Sequence, residues 1–202
     1  MLLKVNPYNP QERQINRVVE IIRKGGIVAY PTDTFYGIGR DIMNKKAIEK
    51  VYLLKNRPKS KPFSFICPDL KDISRYAKIS NIAYRHMKRL LPGPYTFVLT
   101  GTKLVPKIML TKRRTAGIRV PDNEIALSIA RGLGHPIIST SATHKDGAVF
   151  ENASLLHDHF GKQLDAVIDG GPVENSPSSI VSLIDDVPEI IRHGAGDVEI
   201  FE

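Results

Sequence analysis

The clearest chemical signal in this sequence is a group of four cations that alternate with neutral residues over a short segment. They are Lys55, Arg57, Lys59 and Lys61. Cations this close repel one another, so an anion such as a phosphate chain is their natural partner. A solvated basic loop is the alternative that the sequence leaves open.

Small hydroxyl side chains form a second chemical group, because they fall at or near the ends of predicted strands. Thr34 follows the apolar run at residues 27–30. Ser139, Ser141 and Ser179 occupy comparable positions later in the chain. Ligands of open α/β sheets bind at the carboxyl ends of strands, and hydroxyls donate or accept hydrogen bonds without adding charge. Taken singly, each of these residues is better explained as part of a turn.

Arg119 is the most informative single cation, because it lies inside the apolar strand predicted at residues 116–120. An unpaired charge in such a strand costs several kcal/mol, roughly, when it is buried. Arg119 therefore either faces solvent or meets an anion at the strand end. Arg57 and Arg119 can each bind a carboxylate or phosphate through two parallel hydrogen bonds, whereas Lys55 and Lys61 would act as point charges.

The overall charge predicts attraction to polyanions. The chain of 202 residues has a formal net charge of +8 and a pI near 9.6. A second basic cluster, Lys112, Arg113 and Arg114, precedes the strand that contains Arg119. Charge alone does not distinguish nucleotides from nucleic acid as the partner.

The composition indicates a globular protein with a single domain over residues 1–202. Hydrophobic residues make up 42% and charged residues 25% of the chain, which argues against disorder and against a membrane protein. The apolar runs are too short to span a bilayer, and residues 1–10 do not resemble a signal peptide. One cysteine, Cys67, cannot form an internal disulfide, so a cytoplasmic location is expected.

Several common site signatures do not match. The sequence has no glycine-rich loop followed by Gly-Lys-Ser/Thr, which argues against a Walker-type nucleotide site. The segment 37–39 (Gly-Ile-Gly) lacks the third glycine of a dinucleotide fingerprint, so it predicts a tight bend. His157 and His159 would diverge on a helix, so no metal site is expected there. Ser139 and Ser141 lack histidine and acid partners at hydrolase spacing, which argues against a serine nucleophile.

The elements that must position these residues alternate between strand and helix, which predicts an α/β fold with a mixed sheet. Helix starts are predicted at residues that favour N-caps: Asn9 (followed by Pro10), Asn44, Ser80, Asp122 and Asn152. Strands are predicted at residues 2–5, 27–30, 63–67, 95–100, 116–120, 136–138, 166–168, 180–184 and 190–192. The serines and threonines at residues 139–143 are predicted to lie in a loop.

Six motifs together make the sequence similar to the YrdC/Sua5 family, whose order they follow over essentially the full chain. They are PTDTFYGIG at residues 31–39, KNRP at 55–58, PGPYT at 92–96, GIRVP at 117–121, STSA at 139–142 and SSIV at 178–181. The segments 111–115 and 192–198 resemble the YciO branch of that family.

The resemblance implies a twisted mixed sheet with flanking helices and a basic concave surface. It also implies a nucleotidyltransferase that forms L-threonylcarbamoyl-AMP and pyrophosphate from L-threonine, bicarbonate and ATP, for the t6A modification of tRNA. Mg²⁺ is then expected mainly on the phosphates, because no cluster of carboxylates offers a cage. The expected partners are tRNA or double-stranded RNA and other proteins of the t6A pathway, with no membrane.

The resemblance also implies roles for individual residues. Lys55 and Arg57 are the expected catalytic residues and contact the triphosphate. The expected nucleotide ligands further include Lys61, Ser139, Ser141 and Arg192, and the expected threonine ligands are Thr34, Arg119 and Ser179. The alternative is a non-catalytic protein that binds double-stranded or ribosomal RNA through Lys112, Arg113 and Arg114.

Four positions depart from the family pattern. Thr143 stands where many active members have asparagine, and Ile66 stands where some have histidine. Pro177 and Ser182 replace two acids of a later motif. Binding of a nucleotide is expected to survive these changes more readily than full catalytic speed.

Overall fold

The computed structural model describes residues 1–58, 60–144, 147–150 and 152–201. Lys59 of the basic segment lies outside these described residues. The strands are β1 (Leu2–Lys4), β2 (Val28–Tyr30), β3 (Gly37–Gly39), β4 (Ser64–Ile66), β5 (Ala77–Lys78), β6 (Tyr95–Gly101), β7 (Thr115–Arg119), β8 (Ile137–Ser141), β9 (Ala166–Asp169), β10 (Ser179–Ser182) and β11 (Glu189–Arg192). The helices are α1 (Glu12–Arg23), α2 (Lys45–Leu54), α3 (Leu70–Tyr76), α4 (Asn81–Leu90), α5 (Glu124–Leu133) and α6 (Ala153–Phe160).

The strands form one mixed sheet, which confirms the predicted α/β class. Its order is β1-β9-β2-β3-β8-β4-β7-β6-β10-β11, and β5 pairs with β6 outside this path. β9 runs parallel to β1 and β2, β4 runs parallel to β7, and β6 runs parallel to β10. The remaining pairs are antiparallel. None of the helices in the described part of the chain is long and apolar enough to cross a membrane.

Apolar side chains from the sheet pack into two core clusters. In β2, Val28 and Tyr30 belong to a cluster with the packed helices α1 and α5, whereas Ala29 belongs to the other cluster. This alternation is the period of two expected for a strand covered on both faces. In the second cluster, Phe97 and Ile138 pack with residues of α2 and α6.

Two predicted helix starts are displaced. α1 begins after Gln11 without a side-chain cap. Asn9 lies before the helix start and is not the cap, and its backbone N–H donates to the Asn6 side chain within a preceding turn. The cap of α5 is Asn123 rather than Asp122, and its Oδ1 accepts from the backbone nitrogen of Ala126. Ser80 and Asn152 do cap α4 and α6, as predicted.

Two predicted non-strand segments belong to the sheet. Residues 37–39 form β3 instead of a tight bend, and Gly39 makes room for the Tyr30 ring. A Cβ at Gly39 would lie 2.4 Å from that ring and 2.7 Å from the Ile138 carbonyl oxygen. β8 continues to Ser141, so Ser139 and Ser141 are held by strand pairing rather than by a loop.

Candidate functional site

A cavity of about 530 Å³ lies over one face of the sheet, along the neighbouring strands β8, β4, β7, β6 and β10. Thr96 of β6, Gly117 of β7 and Ser139 of β8 form part of its floor. Intervening residues such as Phe97 and Ile138 point into the core instead. Strand alternation therefore separates the polar floor from the apolar core beneath it.

The cavity brings together seven of the residues that were predicted to bind ligands. They are Lys55, Arg57, Lys61, Arg119, Ser139, Ser141 and Arg192. The described lining residues include these five cations but no carboxylate, and hydroxyl groups supply much of the remaining polar surface. Such a lining is suited to a ligand that carries several negative charges.

Thr34 is not among the residues that line the cavity, but it contacts Arg119, which is. Its Oγ1 is 3.0 Å from Nη2 of Arg119, which donates a hydrogen bond to it. The same Nη2 is 2.6 Å from Oδ1 of Asp33, with side chains only 8% (Arg119) and 9% (Asp33) exposed. Nε of Arg119 is buried and has no partner among the described residues. Arg119 is thus held through Nη2, whereas its Nε has no acceptor among the described residues.

Burial disfavours charge on both members of this pair. It raises the pKa of the Asp33 carboxyl and lowers the pKa of the Arg119 guanidinium, and the attraction between the two opposes both shifts. The sequence prediction considered solvent or an anion as the partner of Arg119. The pairing with Asp33 realises the second of the predicted alternatives, an anion at the strand end, and that anion is a carboxylate of the same chain.

The basic segment forms the opposite end of the cavity. Nζ of Lys55 donates to the carbonyl oxygen and to Oγ1 of Thr143, at 3.2 and 3.3 Å. Nε and Nη2 of Arg57 donate to the carbonyl oxygens of Lys61 and Pro62, at 2.7 and 3.2 Å. No carboxylate of the described residues forms an ion pair with these cations.

Charge in the basic segment is disfavoured by burial and by its own neighbours. Burial, followed by repulsion from Arg57, lowers the pKa of the Lys55 ammonium. Burial also lowers the pKa of the Arg57 guanidinium, which lies over the ring of Phe63 at 5.1 Å from its centroid. The carbonyl oxygens that accept from Lys55 and Arg57, together with the Phe63 ring, therefore compensate the two positive charges only in part.

β10, β11 and the residue before β10 form a further side of the cavity, through Ile180, Arg192 and Ser178. Nε and Nη2 of Arg192 donate to the carbonyl oxygen of Ser178, at 3.0 and 2.6 Å. The hydroxyl of Ser178 lies 2.8 Å from that of Thr96. Burial, followed by repulsion from Arg119, lowers the pKa of Arg192. Two guanidinium groups therefore approach one cavity without a carboxylate between them.

Ser179 is not at the cavity, contrary to the prediction that it contacts threonine. It is fully buried, and its hydroxyl donates to the carbonyl oxygen of Gly196 at 2.6 Å. Its neighbour Ser178 lines the cavity instead. Adjacent residues of a strand face opposite sides, so a shift of one residue exchanges cavity and core. The two consecutive serines indicated that a hydroxyl lies at the cavity, but not whether it belongs to Ser178 or to Ser179.

The cluster Lys112, Arg113 and Arg114 lies in an exposed turn before β7. Thr111 and Thr115 close the turn by a backbone hydrogen bond of 3.0 Å, and both also line the cavity. The cluster therefore lies beside the cavity mouth without contributing to its lining.

A second cavity of about 360 Å³ shares Lys55 and Thr143 with the first. His144 and His159 line it, with ring centroids 4.6 Å apart. His157 points elsewhere, with Nδ1 3.6 Å from a carboxylate oxygen of Asp158. The described residues contain no group of three or more potential metal ligands. Coordination of Mg²⁺ by ligand phosphates therefore remains a prediction.

Sequence analysis missed several lining residues, including Ser64, Thr96, Thr111, Thr115 and Ser178. Alternation of small hydroxyls with large apolar residues along β6 was the available signal for Thr96. Asp33 was also missed as the partner of Arg119. The only indication in the sequence that Asp33 belongs to the site was its position in the motif at residues 31–39.

Comparison with known proteins reveals extensive similarity. The family model Sua5/yciO/yrdC, described as "Telomere recombination", matches residues 20–194. The Escherichia coli protein YciO, described as uncharacterized, is 42% identical over 98% of this chain and 97% of its own length. Its crystal structure aligns with a TM-score of 0.94, at 40% identity over 100% of this chain and 99% of that chain.

Relatives with a named activity are more distant. A putative threonylcarbamoyl-AMP synthase of Methanocaldococcus jannaschii is 34% identical over 96% of this chain and 92% of its own length. The crystal structure of Pyrococcus abyssi Sua5 complexed with L-threonine has a TM-score of 0.93 at 28% identity. It is matched over 100% of this chain and 60% of that chain.

Proposed function

This chain belongs to the Sua5/YciO/YrdC family, and we propose that it forms L-threonylcarbamoyl-AMP and pyrophosphate from L-threonine, bicarbonate and ATP, for t6A modification of tRNA. The observation that carries the proposal is the single cavity in which Lys55, Arg57, Arg119 and Arg192 converge among hydroxyl groups. The names of the more distant relatives support this choice of chemistry.

The two ends of the cavity suit the two larger substrates. Arg119 would bind the threonine carboxylate through the edge that Asp33 leaves open, with Thr34 beside it. Similarity over the whole chain to a Sua5 that was crystallised with L-threonine supports this assignment. Lys55, Arg57 and Lys61 would bind the triphosphate, and Mg²⁺ would be carried mainly by its phosphates.

In the proposed reaction, the threonine amine first condenses with bicarbonate to a carbamate and releases water. A carbamate oxygen then attacks the α-phosphorus, and the bond to the bridging oxygen of the β-phosphate breaks as pyrophosphate leaves. The protein has to align these anions and offset the negative charge that builds up between them. Cations that lack carboxylate partners are suited to that role.

The test is threonine-dependent release of pyrophosphate from ATP in the presence of bicarbonate and Mg²⁺, with labelled threonine to follow the product. We expect activity in the wild type and its loss in Lys55→Ala. Lys50→Ala is the matched control, because Lys50 is an exposed residue of α2, the helix that ends just before Lys55, and lies outside the cavity lining. Absence of threonine-dependent pyrophosphate release, with or without partner proteins, would contradict the proposal.

A second candidate function is binding of double-stranded or ribosomal RNA. The exposed turn with Lys112, Arg113 and Arg114 beside the cavity mouth favours it. The test is duplex RNA binding at low salt, which should weaken steeply as salt is added and disappear when all three cations are replaced by alanine. Undetectable binding by the wild type at low salt would exclude this function.

A further inference from the structure

Asp33 joins two loops at the amino-acid end of the cavity. It follows β2, and its Oδ2 accepts a hydrogen bond of 2.9 Å from the backbone nitrogen of Asp122, which follows β7. Its Oδ1 accepts the 2.6 Å hydrogen bond from Nη2 of Arg119. Both carboxylate oxygens are thus engaged, so the position of Asp33 is defined by the backbone of a separate loop.

Arg119 is oriented through this carboxylate. Its Nη2 is shared between Asp33 and Thr34, at 2.6 and 3.0 Å, while its buried Nε has no partner among the described residues. The guanidinium is planar and presents its donors in a rigid fork. Because the group is rigid, the hydrogen bonds of Nη2 to Asp33 and Thr34 also fix the orientation of Nε and Nη1.

Asp33 does not reach the ligand space itself. Arg119 is among the residues that line the cavity, and Asp33 is not. Without Asp33, the guanidinium would lack its carboxylate counter-charge and would still be repelled by Arg192. Both oxygens of Asp33 already accept hydrogen bonds, and the bond from Arg119 joins Asp33 to the cavity lining.

We infer that Asp33 is a positioning residue, which holds the Arg119 guanidinium so that its open edge receives the carboxylate of the amino-acid substrate. The inference rests on the proposed function. It assigns to Asp33 a selective effect on the affinity for the amino acid, with no direct effect on the nucleotide. A residue needed only for folding would affect both substrates and thermal stability together.

The test compares the kinetics of Asp33→Asn and Asp33→Ala with those of the wild type. Asparagine retains an oxygen acceptor but removes the charge, and alanine removes both. Because hydrogen bonds to charged groups contribute more than neutral ones, we expect the threonine KM to rise by about tenfold or more in Asp33→Asn. The ATP KM and the kcat at saturating threonine should remain near their wild-type values. Asp33→Asn keeps the test valid if the alanine variant does not fold.

Asp185→Asn is the matched control, since it removes the negative charge of an exposed aspartate outside the cavity lining. Its threonine KM should equal that of the wild type. In an Arg119→Lys background, Asp33→Asn should add little, because the two residues act as one unit.

The failures of the two proposals are distinguishable. An active wild type with an unchanged threonine KM in Asp33→Asn would overturn the positioning role alone. Parallel changes in both KM values together with a lower melting temperature would also overturn it, in favour of a structural role. A wild type that neither binds threonine nor releases pyrophosphate would overturn the proposed function and the positioning role together.

Discussion

The two ends of the main cavity compensate their positive charges in different ways. At one end Arg119 is almost fully buried and is paired with Asp33 at 2.6 Å. At the other end Lys55 and Arg57 donate to carbonyl and hydroxyl oxygens, and no carboxylate of the described residues pairs with them. The first end is assembled before any ligand arrives, whereas the second holds charge that an anionic ligand would neutralise.

This difference indicates a division between positioning and attraction. A buried ion pair has defined geometry, and loss of one partner leaves an uncompensated charge. Partly exposed cations have looser geometry, but they attract an anion over a longer range. Variants at the two ends should therefore differ in their effect on stability, and the following predictions run from the largest effect to the smallest.

Arg119→Ala should have the largest effect, because it leaves the Asp33 carboxylate buried without its cation. We expect a loss of about 3 kcal/mol in the free energy of unfolding, which lowers the melting temperature by about 6–12 °C. Thermal melting checks this expectation, and calorimetry with threonine should show lost affinity. The double variant Arg119→Ala/Asp33→Ala should recover part of the stability. An unchanged melting temperature in Arg119→Ala would contradict the contrast between the two ends.

Arg57→Ala should have a smaller effect on stability, because it removes exposed hydrogen bonds to the carbonyl oxygens of Lys61 and Pro62. Such bonds contribute about 1 kcal/mol, so the melting temperature should fall by about 2–4 °C. Affinity for ATP, measured by calorimetry, should fall by about tenfold or more, since a charge-assisted contact to phosphate is lost. Wild-type affinity would mean that Arg57 only organises its own loop.

Lys55→Met should produce the smallest change in stability and with the opposite sign. The pKa of Lys55 is lowered in the folded protein, first by burial and then by Arg57, so its charged form costs free energy on folding. Water screens this partly exposed group, and we expect a rise in melting temperature of only about 1–2 °C near neutral pH, together with weaker ATP binding.

The pH dependence of the same variant follows from the direction of the shift. Between the lowered folded pKa and the ordinary value of 10.5, the unfolded chain binds more protons at Lys55 than the folded chain does. Wild-type stability should therefore rise relative to Lys55→Met as the pH increases through this interval. Melting curves at neutral and alkaline pH measure the difference. A constant difference would show that the charge of Lys55 carries no cost in the fold.

Residue type and motif order predicted much of the cavity, because cations and hydroxyls at strand ends are informative without coordinates. The choice between Ser178 and Ser179 depended on strand register, which two consecutive serines leave ambiguous. The pairing of Arg119 with Asp33 joins residues 86 positions apart, and local patterns carry no information at that separation. The cap of α5 was displaced by one residue because Asp122 and Asn123 are both good N-caps, and only Asn123 has the required geometry.

The cavity floor consists of separate side chains that project from paired strands, and this has a consequence for divergence within the family. Exchanging one floor residue leaves the backbone ladder and the neighbouring side chains in place. Descendants of one ancestor can therefore acquire new ligand preferences through single substitutions while the architecture persists. Thr143, whose carbonyl and hydroxyl oxygens accept hydrogen bonds from Lys55, is a lining position of this kind, because the resemblance to the family implies asparagine there in many members.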